Sequence, residues 1–210
     1  MTRSGSERGG GGRLTTSRLD RYLAGLPGGL EACPDALAKG ALVRNLLDGL
    51  PVPALLPALP EPLRSLAADP PVGSEWVPEA HLGALVLAVA DVRGLADAPL
   101  HAWTRERNRR LFRSPAYRIL MEVATPAQLL RFAGARWANW HRGTTLEVDG
   151  IADDGVRASL RFPPGLFDAT LLGGLAEAFA AALELANAAA PRVTVVSREP
   201  GLAWFHASWR

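Results

Sequence analysis

One cysteine, Cys33, stands in a chain of 210 residues. That excludes an internal disulfide framework and a cysteine-based zinc ribbon. Lysine is equally scarce: Lys39 is alone, and every other strongly basic residue is arginine, which forks onto carboxylates and stacks on rings where lysine does not. No apolar run approaches the roughly 20 residues needed to span a bilayer; the longest uncharged one covers residues 82–90. The glycine-rich start has no apolar stretch that could act as a secretory signal, so a cytoplasmic protein without membrane contact is expected. Charge of either sign is not in excess, with 23 Lys plus Arg against 21 Asp plus Glu. Broad electrostatic attraction to nucleic acid is therefore not supported and would need a concentrated patch. Gly-x-Ser-x-Gly elbows, phosphate-cradling glycine–lysine loops and dinucleotide fingerprints are missing, which points away from an enzyme.

What is present suffices for a folded domain: 48% of residues are hydrophobic and 21% charged, enough to bury a core. Residues 1–13 read as a disordered tail, because four consecutive glycines and no apolar side chain beyond Met1 cannot offset ordering entropy. Residues 14–71 read as an irregular, short-helical segment. Leu37, Leu42, Val43, Leu46 and Leu47 recur at helical spacing, and Pro51, Pro53, Pro57, Pro60 and Pro62 then break the chain repeatedly. Residues 72–210 read as an α+β domain, with 36–210 forming one globular unit. A buried central helix is predicted over residues 76–91, apolar on nearly every face, and an arginine-rich helix over 99–112. Ser114-Pro115 and Thr125-Pro126 each place a capping hydroxyl before a proline and should open further helices. The second of these should carry Phe132, Trp137 and Trp140 and end near His141.

The period then changes from helical to alternating. Residues 144–148 and 156–162 alternate around an Asp/Gly turn, as a hairpin with one solvated face does. A long amphipathic helix follows over 171–186, then a second hairpin made of 192–198 and 202–209. The expected fold is N-terminal helices packed on a ββαββ unit with a four-stranded antiparallel sheet.

Four stretches carry a resemblance: Glu75-Trp76-Val77-Pro78-Glu79-Ala80-His81, Leu111-Phe112-Arg113-Ser114-Pro115-Ala116-Tyr117, Asn139-Trp140-His141-Arg142-Gly143-Thr144, and Phe205-His206-Ala207-Ser208-Trp209. With the helices-then-ββαββ order, they resemble a myxobacterial paralogous family of uncharacterised domains. More distantly, the layout is similar to the heme–nitric-oxide-binding and vinyl-reductase-like sensor domains. The resemblance implies a small-ligand or partner-binding domain of a bacterial regulatory or signalling system. The heme branch's Tyr-x-Ser-x-Arg motif is absent, since Tyr22 is followed by Leu-Ala-Gly and Tyr117 by Arg-Ile-Leu-Met. With a single cysteine the metal site of some relatives is absent too, so neither heme nor zinc is expected.

The candidate residues fall into three groups. His81, Phe132, Trp137, Trp140 and His141 are the expected lining of a pocket for a small apolar ligand, since aromatic walls bury large areas. His81 and His141 can also be read as hydrogen-bonded structural histidines, His141 as a helix C-terminal cap. Arg105, Arg109 and Arg113, at i, i+4 and i+8, form a stripe suited to an acidic partner, or a solvated face packed on its own stems. Trp204 and His206 lie on a final strand with apolar groups on both faces. If that strand is the sheet edge it must be covered by the helices or by a second copy, with Trp204 as the interface anchor of a homodimer. Cys33, before Pro34, reads as inert unless a helix start lowers its pKa. The leading reading is a non-catalytic ligand-sensing or protein-interaction module. The alternatives are a small enzyme or cofactor-handling protein using a buried histidine, and an arginine-stripe adaptor.

Overall fold

The computed structural model describes residues 16–115, 125–151 and 155–210. The turn at Asp153-Asp154, the tail and most of the helix expected after Ser114 lie outside these residues. Ser17 caps the first helix, α1 (Arg18–Gly25), by accepting from the Asp20 amide. Leu19 and Tyr22 are its buried side chains, and the Tyr22 hydroxyl donates to the Leu166 carbonyl at 2.9 Å. A short strand β1 (Leu37–Lys39) leads into α2 (Gly40–Leu47), so Leu37 belongs to a strand and not to the helix its spacing suggested. The proline-rich stretch forms α3 (Val52–Leu55) and α4 (Glu61–Ala68), each with proline in its first turn, where the missing amide is harmless. Leu55, Leu59 and Leu63 of this stretch are buried in the main core.

The central helix begins later than expected. Trp76–Pro78 is strand β2, and α5 runs over Glu79–Val92. The cause is Pro78, whose lack of an amide makes it a poor interior residue but a suitable last residue before a helix. Ala84, Leu85, Leu87, Ala88, Val89 and Ala90 are all buried, as the all-round apolar pattern requires. Next come α6 (Asp97–Arg113), α7 (Pro126–Arg131) and α8 (Ala133–Ala138). Thr125 and Gln128 form a reciprocal capping box at the start of α7, worth on the order of 1 kcal/mol. The predicted continuous helix through Trp140 is broken at Phe132, which has φ −107° and ψ 13° and serves as end of α7 and start of α8.

Two antiparallel sheets follow from these placements. The small one has the order β2-β1-β3, with β3 (His141–Arg142) pairing Ala38 to His141. Gly143 has φ 67°, and a Cβ there would collide with the Asp35 carbonyl, so only glycine fits that turn. The large sheet contains β4 (Thr145–Ile151), β5 (Gly155–Arg161), β6 (Arg192–Glu199) and β7 (Leu202–Ser208) in the order β4-β5-β7-β6. Between its two hairpins runs α9 (Ala169–Leu185), capped by the Asp168 carboxylate on the Leu171 amide at 2.8 Å.

The final strand is therefore not an edge. β7 pairs with β5 on one side and β6 on the other. Its inner side chains Ala203, Phe205 and Ala207 are buried. The edges are β4 and β6, both interrupted by a register shift, and β6 carries Arg192, Arg198 and Glu199; bulges and charges are how edges resist unwanted pairing. No helix among the described residues is long and apolar enough to cross a membrane.

Candidate functional site

A cavity of about 680 Å³ lies between the helical layer and the inner face of the large sheet. Its walls obey the periodicities of the elements that build them. From α5 come Glu79, Leu82, Gly83 and Val86. From α6 come Leu100, Trp103, Thr104, Arg107, Asn108 and Leu111. Helix α9 gives Leu171, Gly174, Leu175, Ala178 and Phe179. Each set recurs at three and four residues, so one face of each helix looks inward. The sheet contributes Leu146, Val148, Val156, Ala158, Phe205 and Ala207, alternate residues of their strands. Helices α6 and α9 approach closely because Gly173 has no side chain: a Cβ there would enter the His101 ring. The His101 imidazole donates from Nε2 to the Thr170 carbonyl at 3.0 Å.

Three of the five predicted pocket residues meet at this cavity: Trp137, Trp140 and His141. Trp137 is buried, and its indole donates to the Thr144 hydroxyl at 2.9 Å. His141 stacks on it with 3.8 Å between ring centroids and 13° between planes. The His141 Nδ1–H donates to the Glu79 carboxylate at 2.8 Å, both side chains being buried. His141 is thus a strand residue paired to the first turn of α5, not a helix cap. Glu79 was missed in the sequence because nothing local links residues 62 positions apart.

Phe132 and His81 do not belong to the cavity wall. Phe132 is 53% exposed, because the break it creates turns it away from the face that Trp137 occupies. His81 packs toward Leu30 and Glu31, and its Nε2 is buried without a hydrogen-bond partner among the described residues. Burial pushes its pKa down, against the opposing pull of Glu31 and a backbone hydrogen bond at Leu30. Cys33 is not at a helix start either. It has φ 57° in a turn, and burial pushes its thiol up, the opposite of an activated cysteine.

The arginine stripe is not a free surface. Arg105 bridges Glu177 and Glu184, both at 3.1 Å, and Arg109 makes a forked pair with Glu184 at 2.6 and 2.8 Å. These residues fasten α6 to α9, while Arg113 remains exposed. Burial would raise the Glu184 carboxyl, but hydrogen bonds from Arg109 and Arg105 outweigh it and hold the group below its ordinary value. The inward cation of α6 is Arg107, which the stripe reading passed over. Its signal was visible: Arg107 is i+4 from Trp103 and i−4 from Leu111, on the helix's apolar face. Trp204 and His206 lie on the outer face of the sheet. Trp204 is half-buried under the Arg157 guanidinium, 4.7 Å from its ring centroid, and His206 is exposed.

Comparison with known proteins locates the fold. No family model matches the chain, and no curated protein sequence matches it. Among solved structures, one from work on heme distortion in the H-NOX family has a TM-score of 0.58 at 11% identity, covering 82% of this chain and 95% of that one. An oxygen-binding H-NOX domain related to soluble guanylate cyclases gives 0.55 at 11%, covering 81% and 92%. An Fe(II) unliganded H-NOX mutant from K. algicida gives 0.57 at 11%, covering 82% and 96%. The chain has an H-NOX-like fold.

That fold raises the question of heme, for which the described wall offers one candidate ligand. An axial ligand requires an imidazole, thiolate or phenolate facing the iron, and His141 is the only such described residue on the cavity wall. The His141 Nδ1 is held by Glu79, which leaves only Nε2 to ligate, and the Tyr-x-Ser-x-Arg motif of the heme branch is absent from the sequence. Among the described residues no group of three or more His, Cys, Asp or Glu side chains could hold a metal ion.

Proposed function

We propose that this chain is a ligand-sensing domain that holds a small, largely apolar organic molecule in the cavity between its helices and its large sheet. The observation carrying this reading is the cavity itself. At about 680 Å³ it falls within the roughly 300–1,000 Å³ of small-molecule sites, and its wall is mostly leucine, valine, alanine and aromatic side chains. The H-NOX-like fold supports a sensor role by analogy. The resemblance carried by residues 75–81 and 139–144 supports a bacterial regulatory setting.

A molecule in this space touches α5, α6 and α9 on one side and β4, β5 and β7 on the other. It therefore stabilises the arrangement in which both layers close around it, and a ligand acts on a conformational equilibrium only through such differential contact. Trp137, Trp140 and His141 line it where the small sheet meets the large one. An occupant there also bears on the Glu79–His141 pair, which ties α5 to β3.

The test uses the neutral fluorescent ligand N-phenyl-1-naphthylamine. Saturable binding at one site per chain, lost in Ala178→Phe, is expected, because that phenylalanine projects into the cavity. Absence of binding, or binding unaffected by Ala178→Phe, overturns the reading. Native mass spectrometry of the purified protein reports any co-purified molecule and the subunit number together.

A further inference from the structure

Arg107 is buried, and its Nη1 has no hydrogen-bond partner among the described residues. The guanidinium lies on the wall of a cavity that is otherwise mostly apolar. Among the described residues its anionic neighbour is Asp48, at 3.7 Å, beyond hydrogen-bond distance. That carboxylate is three-quarters exposed, so water screens most of what it offers. The Trp103 ring lies 5.2 Å from the guanidinium carbon and supplies a weaker contact. A buried guanidinium with this little compensation is costly. Burial accordingly lowers its pKa more than Asp48 raises it, and Arg110 and Arg93 add to the lowering.

The other charged groups on the wall are differently placed. Glu79 is occupied by His141. Lys39 donates to the Ser74 carbonyl at 2.9 Å and sits over Trp76. Arg136 is half-buried on α8. Arg107 is the nine-tenths-buried cation of the wall, and its fork suits one planar anion.

We propose that the molecule held in the cavity is an amphipathic carboxylic acid, its carboxylate taken by Arg107 and its apolar body laid along α9 and the inner face of the sheet. This deepens the ligand-sensing reading and rests on it. The carboxylate supplies the acceptor that Nη1 lacks, in surroundings where a charge-assisted hydrogen bond is strong. The aliphatic or aryl remainder meets Leu171, Leu175, Phe179 and Phe205, and needs no further polar partner. An uncharged molecule of the same shape leaves the guanidinium as poorly satisfied as before.

The experiment is a calorimetric titration of the whole chain with dodecanoate and 1-dodecanol, both below their critical micelle concentrations, repeated on Arg107→Gln and Arg107→Lys. The expected result is dodecanoate bound at least about tenfold more tightly than dodecanol by the unaltered protein. Arg107→Gln should bring the two within about twofold by weakening the acid alone, and Arg107→Lys should keep part of the preference. Equal binding of acid and alcohol by the unaltered protein overturns the proposal while leaving the cavity reading intact. Binding of neither overturns both. If Arg107→Gln does not fold, the acid-to-alcohol ratio of the unaltered protein and of Arg107→Lys decides the matter. A preference for acid that survives unchanged in a folded Arg107→Gln overturns the assignment to this residue.

Discussion

The Nδ1–H of His141 donates to the Glu79 carboxylate at 2.8 Å, inside the protein, with the Trp137 ring stacked on the imidazole. This one bond joins the start of α5 to the third strand of the small sheet, and so the helical layer to the base of the cavity. Glu79→Ala removes the acceptor and leaves a buried imidazole N–H unpaired, at about 1–3 kcal/mol. Calorimetric melting should show a midpoint lower by roughly 5 °C. The double variant Glu79→Ala/His141→Phe should cost clearly less than the sum of its parts. Strict additivity would show that the two side chains are not coupled.

Arg105 and Arg109 are structural. Replacing both with alanine removes the forked pair and the bridge that bind α6 to α9 through Glu177 and Glu184. These groups are roughly three-tenths exposed, so solvent discounts the contribution, and about 2 kcal/mol in total is expected. Thermal unfolding should fall by about 4–8 °C, while Arg113→Ala changes it little. Unaltered melting of the double variant would return the stripe to the surface role first read from its spacing. The Glu184 carboxyl has a lowered pKa in the folded chain. Its contribution is present above its unfolded value and is lost as the pH falls through the folded one.

His81 sets a different pH window. Its folded pKa lies below the ordinary 6.5 because burial disfavours the charged ring. As the pH drops through that ordinary value, the unfolded chain takes up a proton that the folded chain resists, so stability declines toward acid. Denaturant midpoints taken between about pH 7.5 and 5.5 should fall more for the unaltered protein than for His81→Leu. Equal slopes would show that His81 gains its proton as easily folded as unfolded.

Trp204→Glu should leave a folded protein of unchanged subunit number. The indole lies on the outer face of an interior strand, covered by Arg157, and a glutamate there still faces solvent and can pair with that arginine. A loss of about 1–2 kcal/mol from indole burial and the cation–π contact is expected. Sedimentation velocity together with circular dichroism checks both halves. Unfolding would mean that the face is part of a core, and a change in subunit number that it is an interface.

Much of this fold is legible in the sequence wherever one periodicity persists long enough to be counted. The alternation at 156–162 and 202–208, the helical repeat of α9, and the all-round apolar pattern of α5 each specify a local conformation and the face it buries. Trp137, Trp140 and His141 were expected on one continuous helix, whereas the chain breaks at Phe132 and His141 belongs to β3. The small sheet was not legible either, since strands of two or three residues are too short to show alternation, and its pairs join β1 to strands far along the chain. The neighbours of α6 were equally hidden. Spacing shows that Arg105, Arg109 and Arg113 share a face, but not that α9 brings Glu177 and Glu184 against it. It shows too that Arg107 lies on the opposite, apolar face, but not that this face lines a cavity. Local conformation follows from steric and hydrogen-bonding rules acting over a few residues. What a face meets depends on how distant elements pack, and that packing left one guanidinium of α6 buried without a full set of partners.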